Sequence, residues 1–148
     1  MKFKTPLLLL LAALASCGSD KSDLVRDNFT FAGTQLKQAF VEMDLVRSSE
    51  LPEKQALRDK LNQGPLASPR NIESDGTLHM VVSRDWTSGF FPGELWYMYE
   101  YTGDDFWKDK ARQQTALIER EKQNGGTHDM GFKVYCSFGN GYRLTHNP

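Results

Sequence analysis

Asp85-Trp86-Thr87-Ser88-Gly89-Phe90-Phe91-Pro92-Gly93-Glu94-Leu95-Trp96-Tyr97-Met98-Tyr99-Glu100-Tyr101-Thr102-Gly103-Asp104 is the stretch on which the fold turns. Seven aromatic side chains and three glycines lie between its two terminal aspartates. An ordinary surface helix has no use for so much apolar surface, so the segment is expected to be buried between neighbours. The spacing predicts a helix that begins near Gly89 to Gly93 and runs to about Thr102, with Pro92 in the first turn, where its missing N–H costs nothing. Leu95, Met98 and Tyr99 fall on one side of that helix, and Trp96, Tyr97 and Glu100 spread around the rest. Thr102-Gly103-Asp104 joins a glycine stop to a fresh N-cap, so a second helix follows at once. It covers Asp105 to Lys122, with Phe106, Trp107, Ala111, Thr115, Leu117 and Ile118 as packing residues, and Asn124-Gly125-Gly126 ends it.

Downstream, Gly125-Gly126-Thr127-His128-Asp129-Met130-Gly131-Phe132 places an imidazole beside a carboxylate among glycines. A further helix is expected from Met130 to about Phe138, stopped by Gly139-Asn140-Gly141. Asn147-Pro148 has the form of another helix start, so the domain is expected to continue past the last residue. Upstream, Phe29, Leu36, Phe40, Met43 and Val46 recur at helical intervals and predict an amphipathic helix from Asn28 to about Arg47. A short helical segment around Leu51, Ala56, Leu57 and Leu61 follows, with Pro52 in its first turn. Gly64, Pro65, Pro69, Asp75 and Gly76 then mark a long irregular connection, and Thr77 to Val82 alternates only weakly as a strand. Helices joined by loops, with no repeated strand pattern, make the class all-α.

The first residues are read apart from the fold. Lys2 and Lys4 precede an apolar run, Leu7 to Leu14, too short to span a bilayer, and small residues close it at Leu14-Ala15-Ser16-Cys17. That ending resembles the lipobox of bacterial lipoproteins, which implies a signal peptide over residues 1–17 and a lipidated Cys17 at the new N-terminus. The expected location is the bacterial cell envelope, lipid-anchored at the outer membrane or facing the periplasm, with residues 18–27 as a solvated, flexible tether. The formal charge of −1 and the scattered lysines and arginines give no electrostatic case for nucleic acid. Cys17 and Cys136 lack the spacings of zinc sites or disulfide frameworks, so neither a metal, a cofactor nor a structural disulfide is expected.

Trp86, Asp129 and His128 are the candidate site. Aromatic residues at helical spacing, such as Trp96, Tyr97, Tyr99 and Tyr101, are ordinarily core. Trp86 instead lies in a loop beside Arg84, Asp85, Ser88 and Gly89, where its indole face can stack on a sugar ring. Asp129 before a helix has two readings, an N-cap that satisfies free backbone N–H groups or a functional carboxylate. His128 can donate a hydrogen bond or, when protonated, attract an anionic group.

The blocks Asp85 to Trp96, Tyr99 to Asp104 and His128-Asp129-Met130-Gly131-Phe132, in this order, resemble the N-terminal part of the unsaturated glucuronyl hydrolases, glycoside hydrolase family 88. The resemblance covers roughly residues 28–148. It implies the N-terminal hairpins, only, of an (α/α)6 barrel, and an enzyme that removes a Δ4,5-unsaturated glucuronic acid from the non-reducing end of lyase-generated oligosaccharides. It also implies that Asp129 is the first of two essential aspartates, His128 a substrate-contacting neighbour and Trp86 a lining of the sugar pocket. The second aspartate, the general acid and base, is expected beyond Pro148, so this polypeptide is expected to be a truncated form, inactive by itself. Two other functions fit the same residues: an unsaturated rhamnogalacturonyl hydrolase, which shares the barrel, and a non-catalytic uronate-binding lipoprotein.

Overall fold

The computed structural model describes residues 21–147. The leader, residues 1–17 with Cys17, and the first three tether residues lie outside them. Helix α1 spans Lys21–Ser48. It starts seven residues before the expected Asn28, so residues 21–27, read from their polarity as a flexible tether, are helical instead. Those polar residues make local helical contacts, among them the ion pair of Asp23 with Arg26 at 2.7 Å and the bond from Asn28 Nδ2 to the Leu24 carbonyl. Helix α2 spans Pro52–Lys60 with proline in its first turn, as expected.

The connection read as irregular is a β-hairpin. Strands β1, Leu66–Ile72, and β2, Leu78–Val82, pair antiparallel, with Leu66 opposite Val82 and Ile72 opposite Leu78. Register breaks on either side of Pro69 accommodate the residue that has no N–H to give. Asp75 closes the turn by accepting from the Thr77 N–H at 2.9 Å. Arg47 ties the hairpin to the end of α1 through the Leu66 carbonyl, at 3.3 and 3.2 Å.

Helix α3, Phe90–Thr102, is central, with Phe91, Leu95, Trp96 and Met98 buried. Gly103 adopts φ 67° and donates to the Tyr99 carbonyl, and the Asp104 carboxylate accepts from the Phe106 N–H at 2.9 Å. This is the stop and restart expected from the sequence, and it starts α4, Asp105–Ala116. The chain then tightens into a 3-10 turn, Glu119–Gln123. Leu36 and Met43 of α1, Met80 of β2, the α3 face and Trp107 and Ala111 of α4 form one core. Burial around α3 is less complete than its composition predicts: Tyr97 and Tyr101 are exposed.

Helix α5, Met130–Val134, does not stop at the glycines. A π-helical turn, Tyr135–Gly139, carries it into α6, Asn140–Thr145. Gly141 is there because a Cβ would stand 2.9 Å from the Trp96 ring. The glycine serves close packing, and the helix ends instead at His146, which takes φ 54°.

Candidate active site

The loop from Ser83 to Gly89 leaves β2 and enters α3, and nearly every residue in it is tied down. Asp85 accepts from the Thr87 N–H at 2.9 Å and the Thr87 hydroxyl at 2.7 Å, and Arg70 of β1 reaches it at 2.9 Å. Burial pushes the Asp85 carboxyl up, but these bonds and the neighbouring Arg70 and Lys133 charges outweigh it and hold it below the usual carboxylate range. Ser88 Oγ donates to the Ser83 carbonyl at 2.8 Å and closes the loop on itself. Between these ties the Trp86 side chain is left 43% exposed. Phe90 and Phe132 meet its indole edge to face at centroid distances of 5.7 and 5.9 Å.

Phe132 belongs to α5 and brings the second half of the site with it. Asp129 stands at the start of α5 and its carbonyl accepts from the Phe132 N–H at 3.1 Å. Its carboxylate makes no capping bond to the helix, so the N-cap reading does not account for it. The Asp129 side chain is 27% exposed, and His128, 96% exposed, brings Nε2 to 3.4 Å from Oδ1. Phe132 therefore links the Trp86 loop, through its ring, to the start of the helix that follows His128 and Asp129, through its N–H.

What allows α5 to come so near is the absence of a side chain at the start of α3. A Cβ on Gly89 would lie 2.3 Å from the Phe132 carbonyl and 2.5 Å from that of Lys133. Lys133, Ser137 and Gly141 form the buried stripe of the helical run from Met130 to Thr145. The Lys133 ammonium donates to the Arg84 carbonyl at 2.6 Å and to Glu121 Oε2 at 3.2 Å. Glu121 also accepts from Ser83 Oγ and Asn124 Nδ2, each at 2.7 Å. Its burial alone would raise the carboxyl, but the bonds from Asn124, Ser83 and Lys133 win and keep it below the usual range. Sequence reasoning missed this network. The available signal was Lys133 itself, a lone cation four residues after Asp129 in a stretch, Met130 to Tyr142, with no other charge.

No family model matches the chain. Over 76 residues, 51% of this chain, it is 61% identical to an unsaturated glucuronyl hydrolase of Formosa agariphila, of which this covers 19%. Over 65 residues it is 42% identical to an unsaturated glucuronyl hydrolase of Bacillus sp. strain GL1, covering 40% of this chain and 17% of that one. The chain is related to part of the unsaturated glucuronyl hydrolases. An unsaturated chondroitin disaccharide hydrolase of Streptococcus pneumoniae is 31% identical over 67 residues, 43% of this chain and 17% of its own length. The crystal structure of an unsaturated glucuronyl hydrolase specific for heparin superposes with a TM-score of 0.54 and 34% identity, over 77% of this chain and 27% of that one. The chain thus spans about a fifth of the length of these curated relatives. The helices described above are consistent with a partial α/α architecture of unsaturated glucuronyl hydrolase type, and the described residues also hold one β-hairpin.

Proposed function

We propose that the chain supplies the Trp86 and His128-Asp129 side of a pocket for a Δ4,5-unsaturated uronic acid at the end of an oligosaccharide. The observation that carries this is Asp129: an accessible carboxylate that caps nothing, held beside His128 and one ring away from a half-exposed tryptophan. Trp86 stacks on the sugar ring, and Asp129 accepts from its hydroxyls and faces the positive charge that develops at C5 and the ring oxygen. The other carboxylates around the loop are engaged, Asp85 with Arg70 and Thr87, and Glu121 with Lys133, Ser83 and Asn124.

In the reaction a carboxylic acid protonates C4 of the vinyl ether and water adds at C5. The hemiketal formed then opens and expels the leaving sugar, so no attack at C1 is needed. A second acidic group must supply that proton. We therefore expect the 148-residue chain to bind the unsaturated sugar without turning it over, and a polypeptide that adds the second aspartate to hydrolyse it.

The names of the related proteins favour glycosaminoglycan-derived uronates, from chondroitin or heparin, over the rhamnogalacturonan products of pectin. Titrating the chain with unsaturated disaccharides from each source, while following Trp86 emission and the ultraviolet absorbance of the unsaturated uronate, tests both points. Saturable change in emission with constant absorbance is the expected result, strongest with the glycosaminoglycan sugars. No change with any disaccharide sinks the proposal.

Membrane attachment through a lipidated Cys17 is a separate proposal, carried by Leu14-Ala15-Ser16-Cys17. Among the described residues no helix is long and apolar enough to cross a membrane. Detergent-phase partition of the protein expressed in bacteria, lost in Cys17→Ser, is the expected outcome, and equal partition of both forms overturns it.

A further inference from the structure

We infer that Lys133 is a positioning residue: its buried ammonium holds the carbonyl of Arg84, and with it the loop that carries Trp86, in register with the helix that carries Asp129. The Lys133 side chain is 1% exposed and that of Glu121 is 6% exposed. Taking two such charges out of water is costly, and apolar residues of similar volume serve stability as well or better. Packing alone therefore does not explain the pair.

The hydrogen bonds do. Lys133 sits one turn after Asp129 on the same helical run, so its backbone moves with that of Asp129. Its ammonium reaches across to the Arg84 carbonyl, two residues before Trp86. Glu121 reaches the same loop through the Ser83 hydroxyl and neutralises the ammonium. On the far side Arg70 holds Asp85, and the Asp85 carboxylate holds Thr87. The backbone is fixed on both sides of the indole, and the charged pair is the tie that runs to the Asp129 helix. Its importance for sugar binding rests on the function proposed above; the mechanical role does not.

Trp86 reports on its own position. Trp96 and Trp107 are buried, 2% and 4% exposed, so emission that acrylamide can quench comes from Trp86, and Trp86→Phe defines the background. The test compares the parent chain with Lys133→Met combined with Glu121→Gln, which leaves no unpaired charge inside. With helical circular dichroism retained, the expected result is a red shift of Trp86 emission and a rise in its quenching. A folded double variant with parental emission and quenching overturns the inference. Should the double variant lose its helical signal, Lys133→Met alone is read in its place: it removes the bond to the Arg84 carbonyl and leaves Glu121 its bonds from Ser83 and Asn124, and again a red shift with greater quenching supports the role while parental values overturn it. Unsaturated disaccharides separate this from the functional proposal. If the variants free Trp86 but no disaccharide perturbs it in the parent, the positioning role stands and the uronate pocket falls. If a disaccharide perturbs Trp86 in the parent but the variants leave its emission and quenching unchanged, the pocket stands and the positioning role falls.

Discussion

The rings of Trp86 and Phe132 meet edge to face, centroids 5.9 Å apart and planes at 64°. Through this contact a loop that enters α3 is joined to the helix that begins after Asp129, because the Phe132 N–H also donates to the Asp129 carbonyl.

Phe132→Ala should therefore loosen Trp86 without unfolding the chain. Phe132 is half exposed, so the loss is an aromatic contact of about 1 kcal/mol rather than a core cavity. Urea denaturation measures that cost, and the disaccharide titration should show weaker binding out of proportion to it.

Asp129→Ala should be nearly silent in stability, within about 0.5 kcal/mol, because the carboxylate caps no helix N–H. The same variant should lose the Trp86 emission response to an unsaturated disaccharide. A stability loss well above that range in urea denaturation would restore the N-cap reading.

Gly89→Ala places a Cβ against two backbone carbonyls that have no rotamer to escape into. We expect a cost of about 1–3 kcal/mol, or more if α5 is pushed away. Gly125→Ala is the control. A Cβ there meets nothing within 4 Å, so the change should stay within about 0.5 kcal/mol in the same denaturation experiment.

Acid should weaken the site network before it unfolds the helices. Glu121 and Asp85 are held below their ordinary values of 4.5 and 3.8, so each contributes stability that is complete above those values and is lost as pH falls through the lower folded-state value. Glu94, raised by burial, works in the opposite sense: its protonation favours the folded state as pH falls. Urea midpoints measured from neutral pH to below 4.5 should fall with acidity, and less steeply in Glu121→Gln, which has no proton to take up there.

Much of this was legible before any coordinates. Gly103 and Asp104 marked the break between α3 and α4 because a left-handed stop and an N-cap are local chemistry, complete within a few residues. Trp86, His128 and Asp129 stood out because a tryptophan in a polar loop and a histidine-aspartate pair among glycines have weak packing reasons to be there. The hairpin was hidden because its strands are punctuated by Pro69, and its pairing is made across the turn rather than within either segment. The helical run from Met130 to Thr145 was cut short for a related reason. Gly139 and Gly141 carry a stop signal locally, and only the nearness of Trp96 shows that Gly141 is space for a neighbour.

The sequence by itself determined where α3 begins and ends and where α4 starts, though not that α4 stops at Ala116 short of the expected Lys122, and which side chains had chemistry to offer. Tertiary structure decided that Phe132 joins the Trp86 loop to the helix that follows Asp129, and that Lys133 and Glu121 tie the same two segments together. Helix caps and turns are set by contacts a few residues apart, whereas Gly89 against Phe132 and Lys133 against Arg84 are meetings of distant segments, which no local pattern of apolar residues encodes.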